Sequence, residues 1–366
     1  MCEFLLNMCF AEQKSQIAIL NMQGFQIYGK IVILIIIVEV LIVVFRDLEM
    51  QYHSKLLELA IKNYRKEQSN TSALYDTNYI EELSSSIGKL IDRHLGSVAV
   101  ETNNEIVGYL AFSDICNTHV KKIKKASSPV HGYGIEDGYD RAKIISMLFE
   151  DVSAKLFQKN VGHYVIKVYA DDKDVISSYV LNQFEILCTD AIKKIETPIS
   201  NTFSDGYKYY ELSKQKLLDT KNILLDMWEK LVSHLRKSPT FYPGKEFTNE
   251  VYWNHVSSPA TRVFVVCKND EILGVIDTSN DSNCFINDDK YTINVGDLFI
   301  KKDYRGWNLA QELLQYVSNT LVKEGYKRIW VEHGTTNPNA LRFWDKYFSS
   351  FTFTLTRQLD ERVFKL

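Results

Sequence analysis

The stretch INVGDLFIKKDYRGWNLAQELLQYVSNTLVKEG, from Ile293 to Gly325, decides the fold of the chain. Residues 293–300 read as a strand and residues 301–307 as a tight turn; a helix follows, which Gly325 is placed to stop. The apolar face of that helix comprises Leu309, Leu313, Leu314, Val317 and Leu321. A helix that opens directly after a strand and a small-residue turn presents free backbone N–H groups and the positive end of its dipole. The stretch therefore predicts an anion site that suits a pyrophosphate.

Two motifs lie in and after this stretch. The turn reads Arg-Gly-Trp-Asn-Leu-Ala over residues 305–310, and RIWVEHGTTNPNALRFWDKYF follows with a buried strand at 328–332, then Asn337, Ala340 and a helix that ends at Phe348. In order and spacing they resemble two elements of the GNAT acetyltransferase superfamily, Gln/Arg-x-x-Gly-x-Gly/Ala and Asn-x-x-Ala-x-x-x-Tyr-x-x-x-Phe. The resemblance implies acetyl-CoA as acyl donor and direct transfer of an acetyl group to an amine.

The resemblance also implies which residues bind the donor. Backbone groups of Leu298, Phe299 and Ile300 would align the pantetheine arm and polarise the thioester carbonyl, and Asn337 would lie beside that arm. The residues that would hold the pyrophosphate are Arg305, Gly306, Trp307, Asn308, Leu309 and Ala310. Asn308 replaces the central glycine of the family motif. Because asparagine tolerates left-handed backbone angles better than most residues, the loop conformation stays accessible.

Three side chains are candidates for proton transfer. Asp297 on the central strand and Glu332 on the next strand are candidate general bases. Where relatives often carry a tyrosine that protonates the leaving thiolate, this chain has Trp344, and an indole is not such an acid. Tyr347, water, or departure of the thiolate without an acid are the alternatives.

The acceptor has no motif of its own. The segment from Ser238 to Val256 lies where related proteins usually form the acceptor site, and its candidate cleft residues are Phe241, Tyr242, Trp253 and His255. A small-molecule amine, an aminoglycoside and a protein lysine all stay open, because specificity lies in the shape of the cleft. A non-catalytic CoA-binding or regulatory protein with the same fold is the alternative to an enzyme.

The two halves of the chain repeat one another at an offset of about 165 residues. VAVETNNEIVGYLAF at Val98 aligns with FVVCKNDEILGVIDT at Phe264, and each predicts a β-hairpin around an Asn/Asp-rich turn. A repeat this long indicates a duplicated domain. We predict an α/β protein with two tandem GNAT-like domains, each a central, mixed and mostly antiparallel sheet flanked by helices. The predicted limits are 1–42 for an N-terminal extension, 43–196 for the first domain, 197–204 for a linker and 205–366 for the catalytic domain.

The first copy carries a different loop. HGYGIEDGYDRA, from His131 to Ala142, contains Gly132, Gly134 and Gly138 but not the Arg-x-x-Gly-x-Gly/Ala pattern. We interpret the first copy as a degenerate partner domain, which either shapes the acceptor cleft or only stabilises the pair.

The N-terminal extension contains an apolar run from Ile31 to Phe45. A membrane-spanning helix needs about 20 apolar residues, and Glu39 interrupts this shorter run. We expect translation of the natural protein to start at Val43; a membrane anchor and an additional soluble segment are the alternatives. A start at Val43 implies a cytoplasmic protein. Association with a membrane would occur only through residues 31–45. Mass spectrometry of the natural N-terminus distinguishes the three.

Composition excludes several classes of function. Lys and Arg number 43 against 46 Asp and Glu, a net charge of −3 that provides no basic field for nucleic acid. The 6 cysteines are scattered without a CxxC pair, so we expect neither a metal site nor a disulfide framework. The expected partners are acetyl-CoA and an amine acceptor.

Overall fold

The structure is a computed structural model that describes residues 22–27, 30–35, 43–75, 79–118, 123–196, 203–236 and 247–364. Its first half comprises β1 (Met22–Ile27), β2 (Lys30–Ile35), β3 (Val43–Asp47), α1 (His53–Asn70), α2 (Tyr79–Arg93), β4 (Gly96–Glu101), β5 (Ile106–Ala111), β6 (Asp114–Asn117), β7 (Lys124–Ser128), β8 (Tyr133–Ile135), α3 (Arg141–Phe157), β9 (Val161–Tyr169), α4 (Lys173–Leu181) and β10 (Glu185–Lys194). Its second half comprises β11 (Lys208–Glu211), α5 (Lys214–Asp219), α6 (Lys221–Arg236), α7 (Asn249–Val256), β12 (Thr261–Lys268), β13 (Glu271–Ser279), β14 (Thr292–Ile300), α8 (Leu309–Lys323), β15 (Arg328–Gly334), α9 (Pro338–Trp344) and β16 (Ser349–Gln358).

The main strands form two mixed or antiparallel sheets flanked by helices, which confirms the predicted α/β class. One sheet has four strands in the order β3-β4-β5-β8, and the other has ten in the order β11-β12-β13-β14-β15-β10-β16-β9-β7-β6. β1 and β2 pair separately as an antiparallel hairpin. Both hairpins predicted from the repeat are present, as β4–β5 and β12–β13. At the second turn Asn269 and Asp270 both have positive φ, as a two-residue hairpin turn requires.

The last strand of each half pairs with strands of the other half. β10 sits between β15 and β16, and β16 pairs in turn with β9. Antiparallel pairing over seven residue pairs joins β10 to β15, from Cys188 opposite Gly334 to Lys194 opposite Arg328. The ten-stranded sheet therefore contains strands from both halves. The predicted domain limits were drawn from the sequence repeat, and they stay a prediction.

Parts of the predicted N-terminal extension and linker lie outside the described residues, namely 1–21, 28–29, 36–42 and 197–202. The predicted start at Val43 stays a prediction. In the described part of the chain, every helix is too short or too polar to cross a bilayer.

The connection between β13 and β14 ties the second half to the core of the first. Phe285 and Ile286 are buried there. The Phe285 ring lies 5.4 Å from the Tyr64 ring and 6.0 Å from the His131 ring, both in edge-on geometry. An aromatic side chain buried against aromatic partners is a large apolar contribution to the packing of the two halves.

We predict that Phe285→Ala lowers the free energy of unfolding by about 3–5 kcal/mol, because it leaves a cavity among aromatic rings. Chemical denaturation of the full chain measures this loss. Phe285→Leu serves as the matched variant and should cost less, since it keeps most of the buried volume. Equal stability of Phe285→Ala and the unaltered protein would contradict the inferred packing.

Candidate functional site

The site begins where two neighbouring strands separate. β14 and β15 run parallel, and they pair only from Thr292–Arg328 to Asn294–Trp330. Beyond Asn294, the edge of β14 that faces β15 has no strand partner among the described residues. Unpaired backbone groups at such an edge need hydrogen bonds from another molecule or from water. The opening therefore offers main-chain donors and acceptors to a ligand.

Three adjoining cavities follow this separation. The splay cavity, about 460 Å³, lies between the separated strand ends and includes Asp297 and Glu332 in its lining. The loop cavity, about 360 Å³, lies at the turn before α8 and includes Arg305 and Ala310. The middle cavity, about 390 Å³, shares residues with both. The middle cavity shares Asn337 with the splay cavity and Arg305 with the loop cavity, so the three adjoin as one groove.

The turn before α8 has the conformation that an anion site needs. Gly306 and Asn308 have φ values of 82° and 62°, both in the left-handed region. Asn308 thus adopts the backbone angle expected for it, and its side chain makes no capping bond to α8. The first N–H groups of α8 have no partner within the helix, so they remain available to a ligand. Arg305 braces the turn by donating from Nε to the Ile300 carbonyl at 3.0 Å.

The corresponding turn in the first half is closed. Asp140 caps α3, and its carboxylate accepts a hydrogen bond from the Lys143 N–H at 3.0 Å. The next residue, Arg141, forms a buried ion pair with Asp172 and donates to the Ile135 carbonyl at 2.9 Å. A carboxylate at a helix N-terminus repels a phosphate that would bind there. These contacts support the interpretation of the first copy as a degenerate partner.

Two cations that the sequence reasoning missed line the loop cavity. Arg342 and Lys346 are exposed and lie four residues apart in and after α9. Positive charge beside a helix N-terminus favours a phosphorylated ligand. Their spacing of about one helical turn, which places both on the same face, is the sequence signal that could have identified them.

Asp297 projects from a β-bulge in β14. The pairing with β13 shifts between Ile276 opposite Leu298 and Thr278 opposite Val295, so Asp277 faces both Gly296 and Asp297. Bulges redirect side chains and are frequent beside active sites. A side chain at Gly296 would place its Cβ 2.0 Å from Oδ1 of Asp277, so only glycine fits there. The bulge brings two carboxylates to one place.

A histidine completes this cluster. His255 of α7 lies with Nε2 3.4 Å from Oδ1 of Asp277, and the pKa of His255 is raised, first by this hydrogen bond. Burial, and then the charge of Asp277, raise the pKa of Asp297 to about 7, while His255 acts in the opposite direction. A carboxylate with a pKa near 7 matches the requirement for a general base at neutral pH. Sequence reasoning named His255 but missed Asp277, the single acid in the buried part of β13, residues 272–279.

Glu332 lies on the other wall of the splay cavity. It is exposed to the cavity, and its pKa is raised by burial of the carboxyl group among protein atoms and by the neighbouring Asp190. Asp190 stands opposite Glu332 in the β10–β15 pair. The structure thus brings Asp297 and Glu332 to one cavity, on different strands.

The remaining predicted residues are placed differently. Tyr347 lines the loop cavity, away from the splay cavity, and its hydroxyl donates to Oε1 of Gln311 at 2.9 Å. Asn337 caps α9 by accepting from the N–H groups of Asn339 and Ala340. Trp344 is buried and lines the splay and middle cavities.

The predicted acceptor residues divide into two groups. His255 lines the splay cavity, whereas Trp253 lies beneath Lys221, whose Nζ is 4.6 Å from the ring centre. Phe241 and Tyr242 lie outside the described residues. His333 was not predicted: it lines the splay cavity, is buried, and has no hydrogen-bond partner for either ring nitrogen in the described structure.

Separated parallel strands, a β-bulge and an open helix N-terminus thus lie together beside a cavity that three carboxylates line. Residues 228–349 match the model of the Acetyltransferase (GNAT) family. The second half of this chain therefore carries a GNAT domain, and this family transfers acetyl groups from acetyl-CoA. A comparison with curated protein sequences finds no match.

Solved structures share the fold at low sequence identity. A GCN5-related N-acetyltransferase from Sphaerobacter thermophilus is similar with a TM-score of 0.52 and 10% identity, over 86% of this chain and 95% of that one. A tandem GNAT protein from the clavulanic acid biosynthesis pathway has a TM-score of 0.42 and 10% identity, over 86% and 98% of the two chains. The first comparison shows that the fold extends over most of this chain.

We predict that Gly296→Ala disrupts the carboxylate cluster and lowers the free energy of unfolding by about 1–3 kcal/mol, because its methyl group collides with Asp277. Thermal denaturation measures the effect. The matched control is Gly88→Ala in α2, where the nearest side-chain atoms are 4.0 Å away and alanine favours the helix. A Gly296→Ala protein as stable as the control would rule out the close approach.

Proposed function

We propose that the second half of the chain is an acetyl-CoA-dependent N-acetyltransferase that transfers an acetyl group to an amine by direct attack. The continuous groove from the turn before α8 to the carboxylates of the splay cavity carries this proposal. It joins an anion site to a candidate general base through an unpaired strand edge. A donor held along the groove would thus meet an acceptor near Asp297.

The donor would lie along the groove in an extended form. Residues 305–310 and the first turn of α8 suit the pyrophosphate, with Arg342 and Lys346 as counter-charges. Backbone groups of Leu298, Phe299 and Ile300 on the unpaired edge of β14 would align the pantetheine arm and polarise the carbonyl. Acetyl-CoA, when bound, supplies the acetyl group as a thioester.

Asp297 is the general base in this proposal. An alkylamine is protonated at neutral pH, so the acceptor must lose a proton before it attacks. Asp297 faces the splay cavity, and its pKa of about 7 leaves it able to take that proton. Asp277 raises this pKa by its charge, and His255 limits the increase. The bulge thereby sets both the position and the basicity of Asp297.

The leaving thiolate has no acid among the predicted side chains. Tyr347 bonds to Gln311 in the loop cavity, and Trp344 carries an indole. We assign protonation of the thiolate to water. Asn308 and Trp344 differ from the residues of the family motifs, so a CoA-binding regulatory protein is the alternative function. Binding of acetyl-CoA without turnover would support that alternative.

We predict that Asn308→Asp lowers the affinity for acetyl-CoA at least about tenfold, because it adds a negative charge at the N-terminus of α8 while tolerating the same backbone angle. Isothermal titration calorimetry of the full chain measures this. Asp140→Asn in the first half is the matched control, and it should bind acetyl-CoA as the unaltered protein does. Loss of binding in the control instead would place the donor in the first half.

We predict that kcat/KM for an amine acceptor rises with pH through a pKa of about 7, because Asp297 must be ionised to accept a proton. Asp297→Asn should lower kcat/KM by about 10²–10⁴-fold and remove this dependence. Asp277→Asn should move the acidic limb to lower pH, because it removes the charge that raises the pKa of Asp297.

The pH dependence of thiol release with acetyl-CoA tests this assignment. Asp270→Asn is the control, since it removes a carboxylate from the exposed turn between β12 and β13 and Asn tolerates the positive φ found there. An acidic limb that persists in Asp297→Asn would show that another group is the base, and one that stays in place in Asp277→Asn would contradict the inferred effect of the Asp277 charge.

A further inference from the structure

The carboxylates and the apolar side chains that line the splay cavity indicate which kind of ligand it suits. Three carboxylates contribute to it, those of Asp277, Asp297 and Glu332, and its described lining contains no lysine or arginine. Among the lining residues, His255 is the one that can carry a positive charge close to a carboxylate, and it is hydrogen-bonded to Asp277. The opposite walls are apolar and include Trp228, Leu231, Phe247 and Tyr252. This pattern suits an elongated ligand with positive charge and an apolar body.

Asp277 also holds a buried carboxylate oxygen that is unsatisfied. Asp277 is 1% exposed, lines the cavity, and has no hydrogen-bond partner for Oδ2 within the described ranges. A buried carboxylate oxygen without a donor is costly to leave unpaired. Oδ2 exposes almost no surface to the cavity, so Asp277 acts on a bound ligand through its charge and not by direct contact.

Glu332 differs sharply from the acid opposite it in the strand pair. Asp190 is fully engaged: it accepts from Lys167 at 2.7 Å, from Thr352 at 2.6 Å and from Asn283 at 3.0 Å. The first of these donors belongs to β9 of the first half. The charge of Asp190 is therefore compensated within the protein.

Glu332 has no comparable compensation. Its side-chain contacts in the described structure are a long hydrogen bond, 3.5 Å from Nδ2 of Asn283 to Oε2, and a weak hydrogen bond with the Cys188 thiol. Lys167 acts on Glu332 through its charge, but its ion pair is with Asp190. Glu332 thus presents a carboxylate to the cavity that no arginine or lysine of the described chain pairs with directly.

The two anionic positions are separate in the fold. Asp277 and Asp297 lie on β13 and β14, whereas Glu332 lies on β15 beyond the point where β15 leaves β14. Neighbouring paired strands are about 4.8 Å apart, and these two have diverged. The two walls therefore offer two separate acidic positions to a ligand that spans the opening between the strands.

We propose that the acceptor is a diamine or polyamine: Asp297 faces the amine that is acetylated, and Glu332 binds a second ammonium group of the same molecule. This inference rests on the proposed acetyl transfer. The apolar walls contact the methylene chain between the two nitrogens. Glu332 is a specificity-determining residue, and β10 of the first half supplies the satisfied Asp190 beside it and Cys188 in the cavity lining.

Matched acceptors test the proposal on the full chain. 1,4-Diaminobutane and butylamine have the same four-carbon chain and differ in the second amine. With acetyl-CoA and a thiol-release assay, kcat/KM for the diamine should exceed that for the monoamine by about ten- to a hundredfold, the usual gain from a hydrogen bond to a charged group. Glu332→Gln should reduce this ratio to about threefold or less.

Controls separate this inference from the proposed function. Glu250→Gln removes an exposed carboxylate from the first turn of α7, outside the cavity lining, and should keep the full ratio. Equal acetylation of both amines, or a ratio that Glu332→Gln does not change, overturns the diamine inference and leaves acetyl transfer intact. Acetylation of neither amine overturns the diamine inference, and a failure to turn over any amine despite acetyl-CoA binding overturns the proposed function as well.

Discussion

The pairing of β10 with β15 is the constraint on which the site depends. β15 pairs with β14 over three residue pairs only, and with β10 over seven. The separated end of β15 is therefore held by a strand that comes from the first half of the chain. Without β10, that end would have unpaired backbone groups on both edges, and closing the gap to β14 would be the way to satisfy them. The first half thus keeps the groove open even though its own helix N-terminus is closed.

Buried charge reinforces this arrangement. Asp190 on β10 is 1% exposed and is bonded to Lys167 on β9 and Thr352 on β16. A buried ion pair contributes little net stability, but removal of one partner is costly because the other charge remains unpaired. The network therefore favours one alignment of the exchanged strands, and this alignment places Asp190 opposite Glu332.

The same strand, turn and helix occur in both halves, but the helix N-terminus is open in the second half and capped in the first. In the second half, Asn308 leaves the N-terminus of α8 uncapped by its side chain, which costs helix stability and leaves N–H groups available. In the first half, Asp140 caps α3, and Arg141 is ion-paired with Asp172 and so is not free to bind a phosphate. Stability and ligand binding compete for the same backbone groups, so the half that is well capped is unsuited to bind a phosphate.

Local features could be predicted from the sequence alone: the strand, turn and helix from Ile293 to Gly325, the two hairpins, a left-handed angle at Asn308 and the resemblance of the second half to the acetyltransferase family. Each depends on periodicity, turn chemistry or a contiguous motif. Three features became clear from the tertiary structure: β10 pairs with strands of the second half and β16 with β9 of the first, a bulge brings Asp277 close to Asp297, and Tyr347 lies away from them. The physical reason is that strand exchange, bulge register and the surroundings of a carboxylate arise from contacts between residues far apart in the chain, which local patterns do not encode.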